Sequence, residues 1–218
     1  MTGAASFDLT CRRCPRLAQH LDEVRESHPD YHARPVAPFG DDRPALLVVG
    51  LAPGMHGANR TGRPFTGDHA GILLYETLHT YGFASQAVAT AADDGLTLHD
   101  CRITNAVKCL PPANKPLTSE VATCNGFLRE ELAALAPGAV VLALGSVAHQ
   151  AVVRALDGRQ KDFPFGHGAE HALATIGAHF LDSYHCSRYN TQTRRLTPEM
   201  FRSVFARART LVDSRVAR

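Results

Sequence analysis

The chain has 218 residues, 44% of them hydrophobic, which is enough for one sizeable core, so a single domain over 1–218 is expected. A net charge of +2 excludes a bulk polybasic nucleic-acid binder, and the absence of any window near 18 apolar residues excludes a membrane-spanning helix. The opening MTGAASFDLTC lacks the charged-then-apolar pattern of a secretory signal; a cytoplasmic monomer is expected, whose six cysteines point to metal or catalysis rather than to disulfides.

In chain order, Cys11 and Cys14 open a helical segment, PRLAQHLDEVRESH, with Pro15 in its first turn. ARPVAPFGDDRP (33–44) reads as a loop. ALLVVGLA is a buried strand that runs into the Gly-rich stretch GLAPGMHGANRTGRPFTGD. A helix over 70–83 follows, with Gly82 as its stop. CRITNAVKC (101–109) is a second strand. EVATCNGFLREELAALA is a helix capped by Thr118 or Ser119, AVVLALG a third strand, and SVAHQAVVRAL its helix, again with a Ser cap. Two short strands around ALATIGA and FLDSYH precede a last helix from about Pro198 to Val212. Strands alternating with helices predict an α/β fold with a mainly parallel sheet covered on both faces.

Ligands of such sheets bind beyond the carboxyl ends of the strands. Three polar stretches fall there: the Gly-rich loop, TNAVKCLPPANK, and SYHCSRYNTQTRRL. The Gly-rich loop has no Lys followed by Ser/Thr, and no G-x-G-x-x-G, which disfavours a nucleotide cradle. Cys11-x2-Cys14 with Cys109 and Cys124 offers four thiolates, suited to structural zinc or to a [4Fe–4S] cluster; the missing second C-x2-C favours iron–sulfur. Cys101 reads as core, and Cys186 has no evident partner. Between 188 and 218 the chain carries eight arginines against Glu199 and Asp213, a run that by itself reads as a solvated helix face.

The blocks ARPVAPFGD, GLAPGMHGANRTGRPFTGD, TNAVKCLPPANKP, LALG, PFGHGAEH and SYHCSRYNTQTRRLTPEM, in this order over most of the chain, resemble the uracil-DNA glycosylase superfamily, and within it the family 5 (type b) enzymes. The resemblance implies a three-layer α/β/α sandwich with a short, mainly parallel central sheet. It also implies a [4Fe–4S] cluster on Cys11, Cys14, Cys109 and Cys124, and action on DNA containing uracil or other deaminated bases, in a prokaryote at the nucleoid. The chain departs from the family pattern twice: His185-Cys186-Ser187 replaces His-Pro-Ser, and Thr193-Arg194-Arg195-Leu196 replaces Thr-Gly-Arg-Leu. Where related families carry an acid or amide, it has Leu51 and Ala52.

The implied roles follow the chemistry of breaking an N-glycosidic bond, for which the base must leave the stack. Asp68, the loop's only carboxylate, orients water and stabilises positive charge on the sugar; its other reading is a helix N-cap. His185 bonds the departing base, and Asn190 supports the water or the backbone. Gly50, Ala52 and Gly54 let the backbone approach the base, Phe65 stacks on it, and Asn105 reads its edge. Arg60, Arg63, Ser187, Arg188, Tyr189, Arg194 and Arg195 contact DNA, and with that partner the C-terminal arginines read as a further DNA footprint. The competing function is a non-catalytic iron–sulfur protein that binds DNA or transfers electrons on the same fold.

Overall fold

The computed structural model describes residues 7–216, so the first six residues and Arg218 of the arginine run lie outside it. Six strands form one sheet in the order β1-β3-β2-β4-β6-β5. The central strands β2 (Leu46–Gly50), β3 (Cys101–Asn105), β4 (Val140–Leu144) and β6 (Ala178–Ser183) are parallel, and the edges β1 (Phe39–Gly40) and β5 (Glu170–Leu173) are antiparallel.

The continuous apolar runs of β2 and β4 arise because both sheet faces are covered. Leu46, Val48, Val140 and Leu142 face helices α3 (His69–Thr80) and α7 (Pro198–Val216). Leu47, Val49, Val141 and Ala143 face the other layer, formed by α1 (Pro15–Ser27), α4 (Thr118–Ala133) and α5 (Ser146–Ala155). The result is the expected three-layer α/β/α fold. Among the described residues no helix is long and apolar enough to cross a membrane.

Local expectations are corrected in three places. Neither Thr118 nor Ser119 caps α4: Leu117 is the N-cap residue, and Glu120 reaches back to accept its N–H at 2.7 Å. Ser146 is the first residue of α5 rather than its cap; that place belongs to Gly145, whose φ of 95° suits only glycine well. Two short helices lie in stretches read as loop, α2 (Ala58–Thr61) in the Gly-rich block and α6 (Arg188–Gln192) after β6.

Candidate active site

The carboxyl ends of the four parallel strands open on one cavity of about 520 Å³. Strand register causes this: Gly50 pairs with Asn105 and Leu144 with Ser183, so the loops that follow leave the sheet at one level.

Gly50 ends β2 where no side chain fits: a Cβ there would lie 2.4 Å from Asn105 Oδ1 and 2.6 Å from Phe65 Cζ. Asn105 is 3% exposed, and its Oδ1 has no hydrogen-bond partner among the described residues. Leaving such an atom unmet costs about 1–3 kcal/mol, and Asn105 is also one of the residues lining the cavity. Phe65 is buried with φ of 53°, a conformation rare for bulky residues, and its ring stacks on His185 with centroids 5.9 Å apart. Ala52 and Gly54 line the same cavity.

Asp68 is both cap and cavity residue. It is the N-cap of α3, its Oδ1 accepting the Gly71 N–H at 2.9 Å. Its Oδ2 faces Gly54 and Gly57, where added Cβ atoms would lie 3.6 and 2.4 Å away. Burial pushes the carboxyl above its ordinary range, opposed by the Gly71 and Ala70 amides.

His185 follows β6 at the cavity wall, and burial pushes its imidazole down to about 4, so it is neutral at physiological pH. Asn190 lines the cavity too, but its Nδ2 donates to the His185 carbonyl at 2.8 Å, which places its amide donor on the backbone. Ser187 is the N-cap of α6 and accepts from the Asn190 N–H.

The cations divide. Arg188 and Arg195 line the cavity, with the Arg195 guanidinium 4.8 Å from the Tyr184 ring centroid. Tyr189 is 70% exposed, and Arg60 and Arg194 are exposed as well. Arg63 is a correction. It is 3% exposed, donates twice to Asp94 at 2.8 and 2.7 Å, and donates through Nε to Thr66, so it ties the loop to the body and cannot reach a phosphate. Three of the C-terminal arginines sit in surface ion pairs, Arg202 with Glu76, Arg207 with Glu170 and Arg209 with Asp213.

Cys11, Cys14, Cys109 and Cys124 line one small cavity between α1, α4 and the loop after β3. The Lys108 N–H points at Cys124 Sγ at 3.3 Å, and Arg13 Nε at Cys11 Sγ at 3.4 Å. Burial, then the neighbouring Cys124, Cys11 and Cys14, pushes the Cys109 thiol up to about 12. Four thiolates here therefore require a compensating cationic centre. No three His, Cys, Asp or Glu side chains among the described residues converge on one ion position. Cys101 and Cys186 are both fully buried in the apolar core, which answers where Cys186 points.

The profile of the uracil DNA glycosylase superfamily matches residues 37–209. The chain belongs to the uracil-DNA glycosylase superfamily. Similar proteins within it include a type-5 uracil-DNA glycosylase of Thermus thermophilus, 45% identical over 92% of this chain and 93% of that one. Another type-5 enzyme, of Pyrobaculum aerophilum, is 42% identical over 92% of this chain and 88% of its own. A type-4 uracil-DNA glycosylase of Archaeoglobus fulgidus is more distant, 31% identical over 68% of this chain and 61% of its own. Sequence reasoning passed over two features of this superfamily member's site. His69 Nε2 meets Thr191 Oγ1 at 3.0 Å, joining the start of α3 to α6. Phe165 and Tyr184 line the cavity; PFGHGAEH and SYH were visible as blocks, but nothing in them said which ring turns inward.

Proposed function

We infer that this chain is a monofunctional uracil-DNA glycosylase of DNA repair, hydrolysing the bond between a flipped uracil and its sugar and leaving an abasic site. The observation that carries the reading is the convergence of Asp68, Asn105 and His185 on a single cavity, whose volume lies within the range of about 300–1,000 Å³ typical of small-molecule sites.

The flipped base enters beside Phe65, and the Asn105 amide bonds its edge. As the C1′–N1 bond breaks, its electron pair leaves on the base, and neutral His185 donates a hydrogen bond to the carbonyl oxygen that gains charge. Asp68 Oδ2 stabilises the cationic sugar and orients the water that adds to C1′. That water's proton passes to the carboxylate and on to solvent or the departing base. Asn190 holds the His185 carbonyl, and Gly50, Ala52 and Gly54 admit the base. Arg60, Ser187, Arg188, Tyr189, Arg194 and Arg195 face the DNA. The cavity makes no polar demand at Leu51 and Ala52, which supports acceptance of other deaminated bases such as hypoxanthine.

Cys11, Cys14, Cys109 and Cys124 would hold a [4Fe–4S] cluster, whose role when bound is to tie the N-terminal segment to the loop after β3. Four thiols on one cavity suit such a cluster, and the missing second C-x2-C favours it over zinc.

The test is excision from end-labelled duplexes carrying one uracil or one hypoxanthine, with alkali to break abasic sites. Strand breaks with wild type that fade in Asp68→Asn and His185→Asn support the reading. No breaks from protein retaining its iron leave a non-catalytic DNA-binding protein instead.

A further inference from the structure

His149, Asp182 and His171 form a cluster that the reaction above does not use. Asp182 is fully buried in β6, three residues before His185, and His149 is buried on α5, whose first residues Ser146 and Val147 line the base cavity. His149 Nδ1 lies 2.8 Å from Asp182 Oδ1, and its Nε2 lies 2.8 Å from the carbonyl oxygen of Phe163. A carbonyl brings no hydrogen, so Nε2 donates to it, while Nδ1 faces the Asp182 side chain at hydrogen-bond distance. His171 Nε2 is 3.2 Å from the Pro164 carbonyl and 3.8 Å from Asp182 Oδ2, an oxygen with no hydrogen-bond partner among the described residues. Two imidazoles gathered on one carboxylate thus hold two consecutive carbonyls.

The next residue is Phe165, which lines the base cavity and packs edge-on to His149 at 5.4 Å. Beyond it, His167 stacks on Tyr184 with centroids 5.1 Å apart and accepts the Tyr184 N–H through Nδ1. Residues 164–166 belong to no helix or strand, so side chains fix them rather than a ladder.

We propose that His149 and Asp182 are positioning residues that hold 163–165 so that Phe165 forms a fixed wall of the base cavity. The proposal rests on the glycosylase reading, in which a wall displaced by about 1 Å costs up to about 10²-fold in rate.

The test is a double-mutant cycle of His149→Phe and Phe165→Ala, read as single-turnover uracil excision with kcat and KM separated. Each single variant is expected to lose about 10-fold, and the pair no more than the worse single. Losses that multiply overturn the proposal. Asp182→Asn supplies the rescue: its amide donates to Nδ1 of a neutral His149 while Nε2 keeps the Phe163 carbonyl. Activity within about 3-fold of wild type is expected, and a loss matching His149→Phe overturns the role. If His149→Phe does not fold, His149→Gln takes its place in the cycle. Hydrogen–deuterium exchange of 163–168 separates this proposal from the glycosylase reading. Faster exchange there in the His149 variant supports the clamp even if the wild type excises nothing; unchanged exchange overturns it.

Discussion

Gly57 leaves open the space occupied by the free carboxylate oxygen of Asp68: a Cβ on residue 57 would lie 2.4 Å from Oδ2 and 2.7 Å from the Asp68 Cβ. Oδ1 is meanwhile committed to the Gly71 N–H. The cap therefore uses one oxygen of Asp68 and leaves the other for the catalytic role proposed above. The cap fixes the side chain, and the glycine admits it to the cavity.

Gly57→Ala is expected to push Asp68 off this position and lower kcat at least 10-fold, with the overpacking cost of about 1–3 kcal/mol in stability. Gly54→Ala is the control for the fold, because its Cβ would meet Oδ2 at 3.6 Å, an ordinary contact. It should fold as the wild type does, and any loss should fall on KM, since that Cβ enters the base cavity. Steady-state kinetics and thermal unfolding of both variants decide the matter. Equal kcat in the two would show that the Gly57–Asp68 contact is not what holds the carboxylate.

Asp68→Asn should lower the excision rate by about 10²–10⁴ without destabilising the protein. Burial raises the Asp68 carboxyl in the fold, so the folded state binds the proton more tightly than the unfolded chain. Wild-type stability from this group is present at low pH and is lost as pH rises from the ordinary carboxylate range through the raised value. An Asn keeps the cap and carries no charge. At pH 7 its melting temperature should equal or exceed that of wild type, and the difference should shrink towards pH 4. A variant that melts lower at pH 7 by the full value of a lost cap, about 1 kcal/mol, would show that Asn does not preserve the cap.

The layers and the three loops that meet at the site were legible because apolar runs, Gly-rich turns and helical periods agree along most of the chain. What stayed hidden depends on tertiary partners. Arg63 reads like any loop arginine until Asp94, thirty-one residues away, closes on it. The arginines of α7 look free in sequence because Glu76 and Glu170 belong to distant elements. Asp68 was legible as a residue with two candidate roles, but which oxygen serves which role depends on Gly57 and Gly71. The short helix α6 was masked by its brevity and its polar sequence RYNTQ, although Ser187 is an ordinary N-cap residue type.

The pH profile should distinguish Asp68 from His185. With its imidazole pushed down to about 4, His185 stays neutral across the working range. The acid limb of the single-turnover rate should then follow the raised Asp68 carboxyl, the rate rising with pH to a plateau as the carboxylate forms. His185→Asn should lower the plateau by about 10²-fold and leave the limb in place. An inflection near the ordinary imidazole value that disappears in this variant would mean that His185 titrates in the open, contrary to its burial.

Arg194 and Arg63 should part on stability and salt dependence. Arg194 follows the last turn of α6 with φ of 58°, the left-handed conformation usually given to glycine at a helix end, and it is exposed. This explains why a Gly suits the family pattern there. The arginine holds that conformation at a cost of about 1 kcal/mol. Arg194→Gly should therefore raise stability by up to about that much, while the loss of one phosphate contact reduces the slope of log affinity against log salt by about 1. Arg63→Ala should do the reverse. It strands Asp94, whose carboxyl the Arg63 guanidinium, with backbone N–H groups of Thr90, Leu96 and Ala91, holds well below its usual range, at an expected cost of about 3–5 kcal/mol for breaking a buried pair. Its salt slope should match the wild type. Binding of a uracil-containing duplex across a salt series, beside thermal melts, reads both effects; a salt slope altered by Arg63→Ala would place that side chain on DNA after all.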